Sequence, residues 1–427
     1  MPEGPANPAR RSAATAIAIV AAAWFCYAGA KHELASHLLA SANPENWERA
    51  ARIEPDNPDT WYRLGRFRQL DFDHADFPLA ISYYQRAVQL NPPSPYYKLD
   101  LASTLEMSGQ NEEAERYFRA AQKGYPISAE VSWKYGNFLL RQKRLPEAYA
   151  EIHRAVMVDS KLIPLAISRA WHSDPDVRVL LDQVLPDTSQ ADSEALTFLS
   201  NVQEPAAALA VWNRLIAKNA HPEWKTVFAL TELLVAQERF EEAGTVWRQA
   251  VAKDENAAHG YGDNSVIFDG GFEQDILRGG FGWQQRDVPG ADFDFDSDVK
   301  HSGNRAARLI FDGSQNLSYE DLYQYVLVSP GTHYRFRGYL RTDQISTDSG
   351  VRFEVSDPKD PRHSTKLTPN ETGNEPWTLE ETDFTAGPKT HRVLVRLVRR
   401  PSQRLDNKIS GTVWVDDVSL IPVGNQK

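Results

Sequence analysis

The sequence predicts a multidomain chain: an all-α array of repeated helical hairpins, then an all-β sandwich, behind one N-terminal transmembrane helix. Three observations carry this expectation. Ala80, Ala114 and Ala148 stand 34 residues apart, and each is followed seven positions on by a second alanine, Ala87, Ala121 or Ala155. Near residue 262 the text turns from Ala, Glu, Leu and Arg to period-2 runs separated by turn signals. Residues 12–30 carry no charge over 19 positions, close to the roughly 20 that cross a bilayer.

Length and charge set the frame. At 427 residues the chain exceeds what one hydrophobic core organises. A net charge of −11 argues against a general phosphate-binding surface, so nucleic acid is not an expected partner.

The N-terminal expectation is a cytoplasmic tail over 1–11 and a signal anchor over 12–30. Arg10 and Arg11 precede the apolar stretch, and basic residues stay in the cytoplasm. The bulk of the chain then faces the periplasm from a bacterial inner membrane, crossed once. The competing reading is a cleaved signal peptide, with Ala28-Gly29-Ala30 as the small-x-small site and a secreted or periplasmic product. The anchor is preferred because the apolar stretch is longer than a signal core and KHELASHLLA continues it as an amphipathic helix. Cys26, the sole cysteine, follows Trp24 and Phe25 rather than the small residues of a lipoprotein signal. The exported region therefore has no intrachain disulfide.

Between the paired alanines sits a large residue, Tyr84, Phe118 or Ile152, and Pro92 and Pro126 close two of the units. This pattern resembles the tetratricopeptide repeat. The resemblance implies a helical solenoid, placed at 31–259, whose stacked units bury one another's apolar faces and whose inner surface holds a protein partner. Trp61, Leu64 and Gly65 open the first full unit, and three extra residues around DFDHAD lengthen its turn. Leu101 and Ala102 open the second, Tyr135 and Gly136 the third. Trp47, Ala50 and Pro55 supply half a unit upstream; Ala243, Trp247 and Ala250 mark a clear unit downstream, and Ala208, Trp212 and Leu215 a degraded one. Over about 160–200 the register is lost, where Pro164, Pro175 and Pro186 are expected to interrupt the helices. By the family's geometry the peptide-groove candidates are Tyr96, Ser103, Glu106, Trp133, Lys134, Asn137 and Arg141. Lys134 and Asn137 are the types that grip a terminal carboxylate in some such domains, although the other clamp positions do not match. A solvated helix face is the ordinary alternative for each.

Downstream, Tyr334, Phe336, Gly338 and Leu340 alternate, as do Val351, Phe353 and Val355, and Val393, Val395 and Leu397, with turns at Pro330-Gly331 and Gly387-Pro388. Such runs argue for an antiparallel β-sandwich. IFDGGFE at 267–273, Gly282-Trp283, HSGNRAARL at 301–309, Tyr323-Gln324-Tyr325-Val326 and VWVDDVSLIP at 413–422 together resemble jelly-roll carbohydrate-binding modules of the family 4/9, galactose-binding-like group. The resemblance covers 262–424. It implies a glycan ligand and a structural calcium held by Glu273 and Asp416, with backbone carbonyls near Asn304 completing the shell. Otherwise those carboxylates serve backbone donors without a cation, and no further cofactor is required. Asp292, Asp294, Asp296 and Asp298 read as a solvated strand face, because a calcium loop needs glycine where Ser297 stands and glutamate where Gly303 stands.

Sugar binding needs flat aromatic surfaces and planar polar groups. If Tyr334, Phe336 and Leu340 face the core, Arg335, Arg337, Tyr339 and Arg341 face outwards. Arg352 with Glu354, and Arg392 with Arg396, are expected to repeat that polar face on neighbouring strands. Guanidinium pairs bidentately with carboxylate, so the ligand expected is an acidic polysaccharide, with an exposed sheet balanced by surface aspartates as the alternative. Trp283, Tyr323, Tyr325 and Trp377 are stacking candidates, with core burial as the alternative. No GxSxG, HExxH or phosphate loop occurs, and Gly279-Gly280-Phe281-Gly282 lacks the spacing of a dinucleotide fingerprint. The expected chain is a non-catalytic adaptor that joins a protein to a glycan, with surface polysaccharide export or assembly as its setting. One alternative is a scaffold whose sandwich has lost sugar binding, with all four stacking candidates buried. Another is a glycan-processing enzyme with two carboxylates facing one cleft.

Overall fold

The computed structural model describes residues 8–262, 264–362 and 364–423. The chain divides into two compact units, Met1–Pro186 and Asp187–Lys427.

The first unit is helical. A long α1 (Pro8–Ala40) leads into α2 (Pro44–Ile53), and three hairpins follow: α3 (Pro58–Leu70) with α4 (Phe77–Leu90), α5 (Pro95–Met107) with α6 (Asn111–Gly124), and α7 (Ala129–Arg141) with α8 (Leu145–Val158). A 3₁₀ turn (Ser160–Leu162) precedes α9 (Ile163–Ser173), and a short α10 (Val177–Val179) runs into a π turn (Leu180–Val184). Local chemistry sets the starts. Asn43, Asn57 and Asp76 accept hydrogen bonds from backbone N–H groups in the first turns of α2, α3 and α4, and Ser128 does so for α7. Proline occupies the first or second position of α2, α3, α4, α5, α8 and α9, where its missing N–H costs nothing. Pro164 therefore opens α9 rather than interrupting a helix, a correction to the sequence expectation; Pro175 and Pro186 flank the short helical turns.

The spacing of small and large residues is a packing rule. Ala80, Tyr84, Ala114, Phe118, Ala121 and Ala148 are all fully buried in one apolar cluster, and Ala87 is fully buried as well. A Cβ on Gly65 would stand 2.8 Å from the Tyr84 ring, and one on Gly136 would stand 2.9 Å from Ile152 Cγ1. Each glycine on the first helix of a hairpin thus makes room for the large residue on the second.

The helix α1 runs without a break through 12–30. Among the described residues, however, no helix is long and apolar enough to cross a membrane, which corrects the expected span. Arg10, Arg11 and Ala14 have side chains outside the described residues, as does the whole of 1–7.

The second unit joins helices to β-structure. It holds α11 (Ser189–Asn201), α12 (Pro205–Ala217), α13 (Trp224–Ala236) and α14 (Phe240–Lys253). Then come β1 (Gln284–Gln285), β2 (Ala291–Asp296), β3 (Ala306–Asp312), β4 (Tyr319–Leu327), β5 (His333–Ile345), β6 (Arg352–Ser356), β7 (Thr365–Leu367), β8 (Gly373–Thr385), β9 (Arg392–Arg399) and β10 (Ser410–Pro422). They form two five-stranded antiparallel sheets, ordered β1-β4-β9-β6-β7 and β2-β3-β10-β5-β8. Successive strands alternate between sheets along most of the chain, as in a jelly roll. Inner faces meet in a core that includes Phe336, Leu340, Phe353, Val393, Val395, Leu397 and Val415. Within that core Gln324 is fully buried, and its amide both accepts from Phe268 N (3.0 Å) and donates to Phe268 O (2.8 Å).

Helices and sandwich share apolar contacts inside this unit. The Trp247 ring of α14 meets Phe268 and Phe281 edge to face, with centroids 5.5 and 5.7 Å apart. A Cβ on Gly280, whose φ is +58°, would stand 2.4 Å from the Trp247 ring, and one on Gly279 would stand 2.5 Å from Phe228. The glycine run at 279–282 is thus a seat for two rings of the last helical hairpin.

Candidate functional site

Two regions gather the side chains that chemistry singles out. In the first unit, α7 and α9 enclose a groove of about 440 Å³ lined by Asn137, Leu140, Arg141, Leu165, Arg169 and His172 among others. Asn137 is buried; its Nδ2 donates to Trp133 O (2.7 Å), while its Oδ1 has no donor. Arg141 grips Glu106 with two hydrogen bonds, at 2.6 and 2.7 Å. Lys134 lies 2.9 Å from Asp100 and 3.3 Å from Glu130, so its ammonium is already balanced by carboxylates rather than offered to a peptide terminus. Ser103 donates back to Leu99 O (2.8 Å), Trp133 is half-buried and Tyr96 is exposed. Of the seven groove candidates, Asn137 and Arg141 are brought together here. Their neighbours Leu165, Arg169 and His172 come from α9, where the repeat register fades and the sequence offers no signal.

The sandwich candidates divide between opposite faces. On β5, Arg335, Arg337, Tyr339 and Arg341 do point away from the core, as strand alternation requires. The neighbours of β5 are β10 and β8, not β6 and β9. Arg352, Glu354, Arg392 and Arg396 therefore belong to the other sheet, which corrects the expectation of one continuous polar face. Adjacency in a sheet is a long-range property that alternation within single strands cannot reveal.

Across β5 and β8, Arg335 pairs with Asp383 (3.0 Å) and Arg337 with Glu381 (2.5 Å). Beside them the His301 ring stacks on Tyr339 at 3.6 Å and meets Trp377 edge to face at 5.7 Å. Arg341 lies over the Trp414 ring at 5.4 Å, and among the described residues it has no carboxylate partner. Trp414 in turn donates to Asp296 Oδ2 (2.9 Å), while Asp296 Oδ1 accepts from Asp298 N and Val299 N. Asp296 is therefore buried structure rather than part of a solvated acidic face; Asp294 and Asp296 both pair with Arg308. His301 and Trp414 lie within the HSGNRAARL and VWVDDVSLIP segments, but nothing in their local text marks them as ring partners of Tyr339 and Arg341.

On the opposite face, Arg392 lies over the Tyr325 ring at 4.4 Å, and Arg396 pairs with Glu354 (2.6 Å). Glu354 is buried and is reached by Arg400 as well (3.6 Å), while Arg352 is half-buried. Two stacking candidates are withdrawn. Trp283 belongs to the core and donates to Asp269 O (2.9 Å), and Tyr323 is buried with its hydroxyl 3.0 Å from Gln284 Oε1. Tyr325 and Trp377 keep partial exposure.

The residues implied for calcium do not fit a cation. Glu273 Oε1 and Oε2 accept from Asn304 N (2.8 Å) and Asn304 Nδ2 (2.9 Å). Asp416 Oδ2 accepts from His301 N (2.8 Å) and Ser302 N (3.0 Å), and its Oδ1 from Asp417 N (2.8 Å). All four oxygens face N–H groups, which a cation would repel. Among the described residues no group of three or more His, Cys, Asp and Glu is placed to hold a metal. Burial pushes the Asp416 carboxyl up to about 6, and that of Asp269 up to about 7.

Known proteins bear on the helical part most directly. A Tetratricopeptide repeat family model matches residues 69–126 and 99–159. Residues 69–159 are tetratricopeptide repeats. No curated protein matches the chain. Among solved structures, YrrB, a TPR protein with an unusual peptide-binding site, is 12% identical over 51% of this chain and 98% of its own, with a TM-score of 0.27. The CBM22-1 xylan-binding domain from Paenibacillus barcinonensis Xyn10C is 14% identical over 33% of this chain and 86% of its own, with a TM-score of 0.25. A Clostridium thermocellum xylanase, seen with its CBM22-1 and GH10 modules and xylohexaose, is 15% identical over 39% of this chain, with a TM-score of 0.28. This chain spans 30% of that xylanase's length.

Proposed function

We propose that this chain is a non-catalytic adaptor of a bacterial envelope whose repeats hold a protein and whose sandwich binds an acidic glycan, in surface polysaccharide export or assembly. One observation carries the glycan half: Tyr339, His301 and Trp377 form a partly exposed ring cluster, and Arg341 on the same face has no carboxylate partner among the described residues. Flat rings accept pyranose C–H groups and a guanidinium accepts a sugar carboxylate. A glycan array followed by calorimetry on the full chain tests this; failure to bind any glycan removes it. The burial of Trp283 and Tyr323 favours the scaffold alternative at those two positions, while Tyr325 and Trp377 do not meet its requirement.

For the protein half, the support is the repeat family itself and the groove of Asn137, Arg141 and Arg169. Attachment to the inner membrane, with the chain facing the periplasm, rests on α1, where Ile17, Val20, Trp24 and Phe25 are all exposed and apolar. Fractionation at neutral pH and physiological salt separates the cases: recovery of the chain in the soluble fraction ends the attachment proposal.

A further inference from the structure

Strand β10 breaks its alternation at the pair of aspartates near its middle. Asp416 stands opposite Tyr339 and Ser419 opposite Arg337, so β10 carries two residues where β5 carries one. Asp417, the first of the two, takes φ +45°, a left-handed backbone that a non-glycine residue keeps only where its surroundings demand it. On a regular strand, neighbouring side chains leave by opposite faces. The bulge lets both carboxylates reach one loop, at 301–304.

They grip that loop at successive points. Asp416 Oδ2 accepts from His301 N (2.8 Å) and Ser302 N (3.0 Å). Asp417 Oδ1 accepts from Ser302 Oγ (2.7 Å), and its Oδ2 lies 2.6 Å from His301 Nδ1. Glu273 holds the far end through Asn304 N and Nδ2. Lys300 Nζ donates to Ser297 O (3.0 Å) and Asn304 O (3.2 Å), so an ammonium of the chain itself takes up a carbonyl that a calcium shell would need. The resemblance implies a cation that ties these segments together. This chain ties them with its own donors.

The gripped loop carries the centre of the ring cluster. The His301 ring that Asp417 holds is the one stacked on Tyr339 at 3.6 Å and set edge to face against Trp377 at 5.7 Å. A carboxylate at Nδ1 selects the tautomer with its proton there, which leaves Nε2 as an acceptor. Among the described residues Nε2 has no partner, and the side chain is 30% exposed.

We propose that the Asp416–Asp417 bulge is a metal-free latch that fixes His301 in the ring cluster, with Nε2 offered to a sugar hydroxyl, and that Asp417 is a positioning residue of the glycan site. The inference rests on the glycan reading above. It makes the two aspartates the support of the binding face rather than ligands of a cation.

Asp417→Gly removes both side-chain contacts yet suits the left-handed backbone, and Asp417→Asn tolerates that backbone and keeps one acceptor oxygen. Hydrogen exchange of the full-length chain over 297–304 is expected to quicken roughly tenfold in Asp417→Gly and less in Asp417→Asn. In the wild type, exchange there and the thermal melt are expected to be the same in EGTA and in calcium; slower exchange or a higher melt in calcium overturns the metal-free latch. Calorimetry with digalacturonate as the probe is expected to show roughly tenfold weaker binding in Asp417→Gly, partly rescued in Asp417→Asn. In the Tyr339→Ala background, where the ring has lost its platform, Asp417→Gly is expected to cost nothing further, and an additive loss overturns the positioning role. Binding by Asp417→Gly equal to that of the wild type also overturns it and leaves the proposed function standing. No sugar binding by the wild type removes both.

Discussion

The imidazole of His301 lies flat on the phenol ring of Tyr339, with centroids 3.6 Å apart and planes 18° from parallel. His301 belongs to the loop before β3 and Tyr339 to the middle of β5, so the stack fixes a loop onto the outer face of a sheet. The same ring shares a 2.6 Å contact with Asp417 Oδ2 through Nδ1. Tyr339→Ala removes the platform. Glycan affinity is expected to drop roughly tenfold while stability changes by no more than about 1 kcal/mol, because the ring is only half-buried. Calorimetry beside a thermal melt measures both; unchanged affinity would take this face out of glycan binding.

Gly136→Val tests the packing rule of the repeats. The added carbons would overlap Ile152, whose Cγ1 lies 2.9 Å and whose N lies 3.2 Å from an ideal Cβ. Overpacking of this kind costs about 1–3 kcal/mol. Pairing it with Ile152→Ala is expected to recover part of the loss, read as a coupling in a double-mutant cycle by urea melts. Strict additivity would show that the two side chains do not compete for the same space.

A buried guanidinium holds one end of the sandwich. Arg399 donates to Ser349 O (3.0 Å), Asn316 Oδ1 (2.8 Å), Asn407 O (3.0 Å) and Leu317 O, gathering three loops. Arg399→Met leaves those buried acceptors without donors and is expected to cost about 3–5 kcal/mol. Arg399→Lys should rescue little, since one ammonium cannot reach the same fan of acceptors. Hydrogen exchange over 401–409 locates the effect; protection equal to the wild type there would refute it.

Acidity offers another handle. Because burial raises Asp269 to about 7 and Asp416 to about 6, the folded chain keeps protons that the unfolded chain has already released above its ordinary carboxylate range. The contribution of these groups to stability should therefore be full below about pH 4, fall as pH rises from there towards 7, and level off above it. A loss of about 4 kcal/mol between pH 5 and pH 8 is expected, most of it from Asp269, and Asp269→Asn should flatten the slope. Denaturant melts at pH 5 and pH 8 decide the matter; a steeper slope in Asp269→Asn would contradict it.

The helical hairpins were legible because their spacing is itself the packing code: Gly136 and Ile152 are close in sequence and pack together in space. Strand alternation was legible on β5 for a similar reason. What local text does not encode is which strand lies beside which, and so Arg352 and Arg396 were placed beside Arg335 when they lie in the other sheet. Trp283 shows a second limit, since a tryptophan after glycine reads alike whether it seats a sugar or donates to Asp269 O from the core. Pro164 shows a third. Proline at a helix start and proline within a helix differ only in where the preceding turn ends, and Pro164 proved to be the former.

The seat that Gly279 and Gly280 make for Phe228 and Trp247 bears on how force passes through the second unit. A sandwich hung on a flexible tether would swivel under a pull and dissipate it in the linker. Here the last helical hairpin is keyed into the β-domain by rings set against glycine backbone. Tension applied to the sandwich would reach α14 with little slack, making this unit a coupling rather than a hinge.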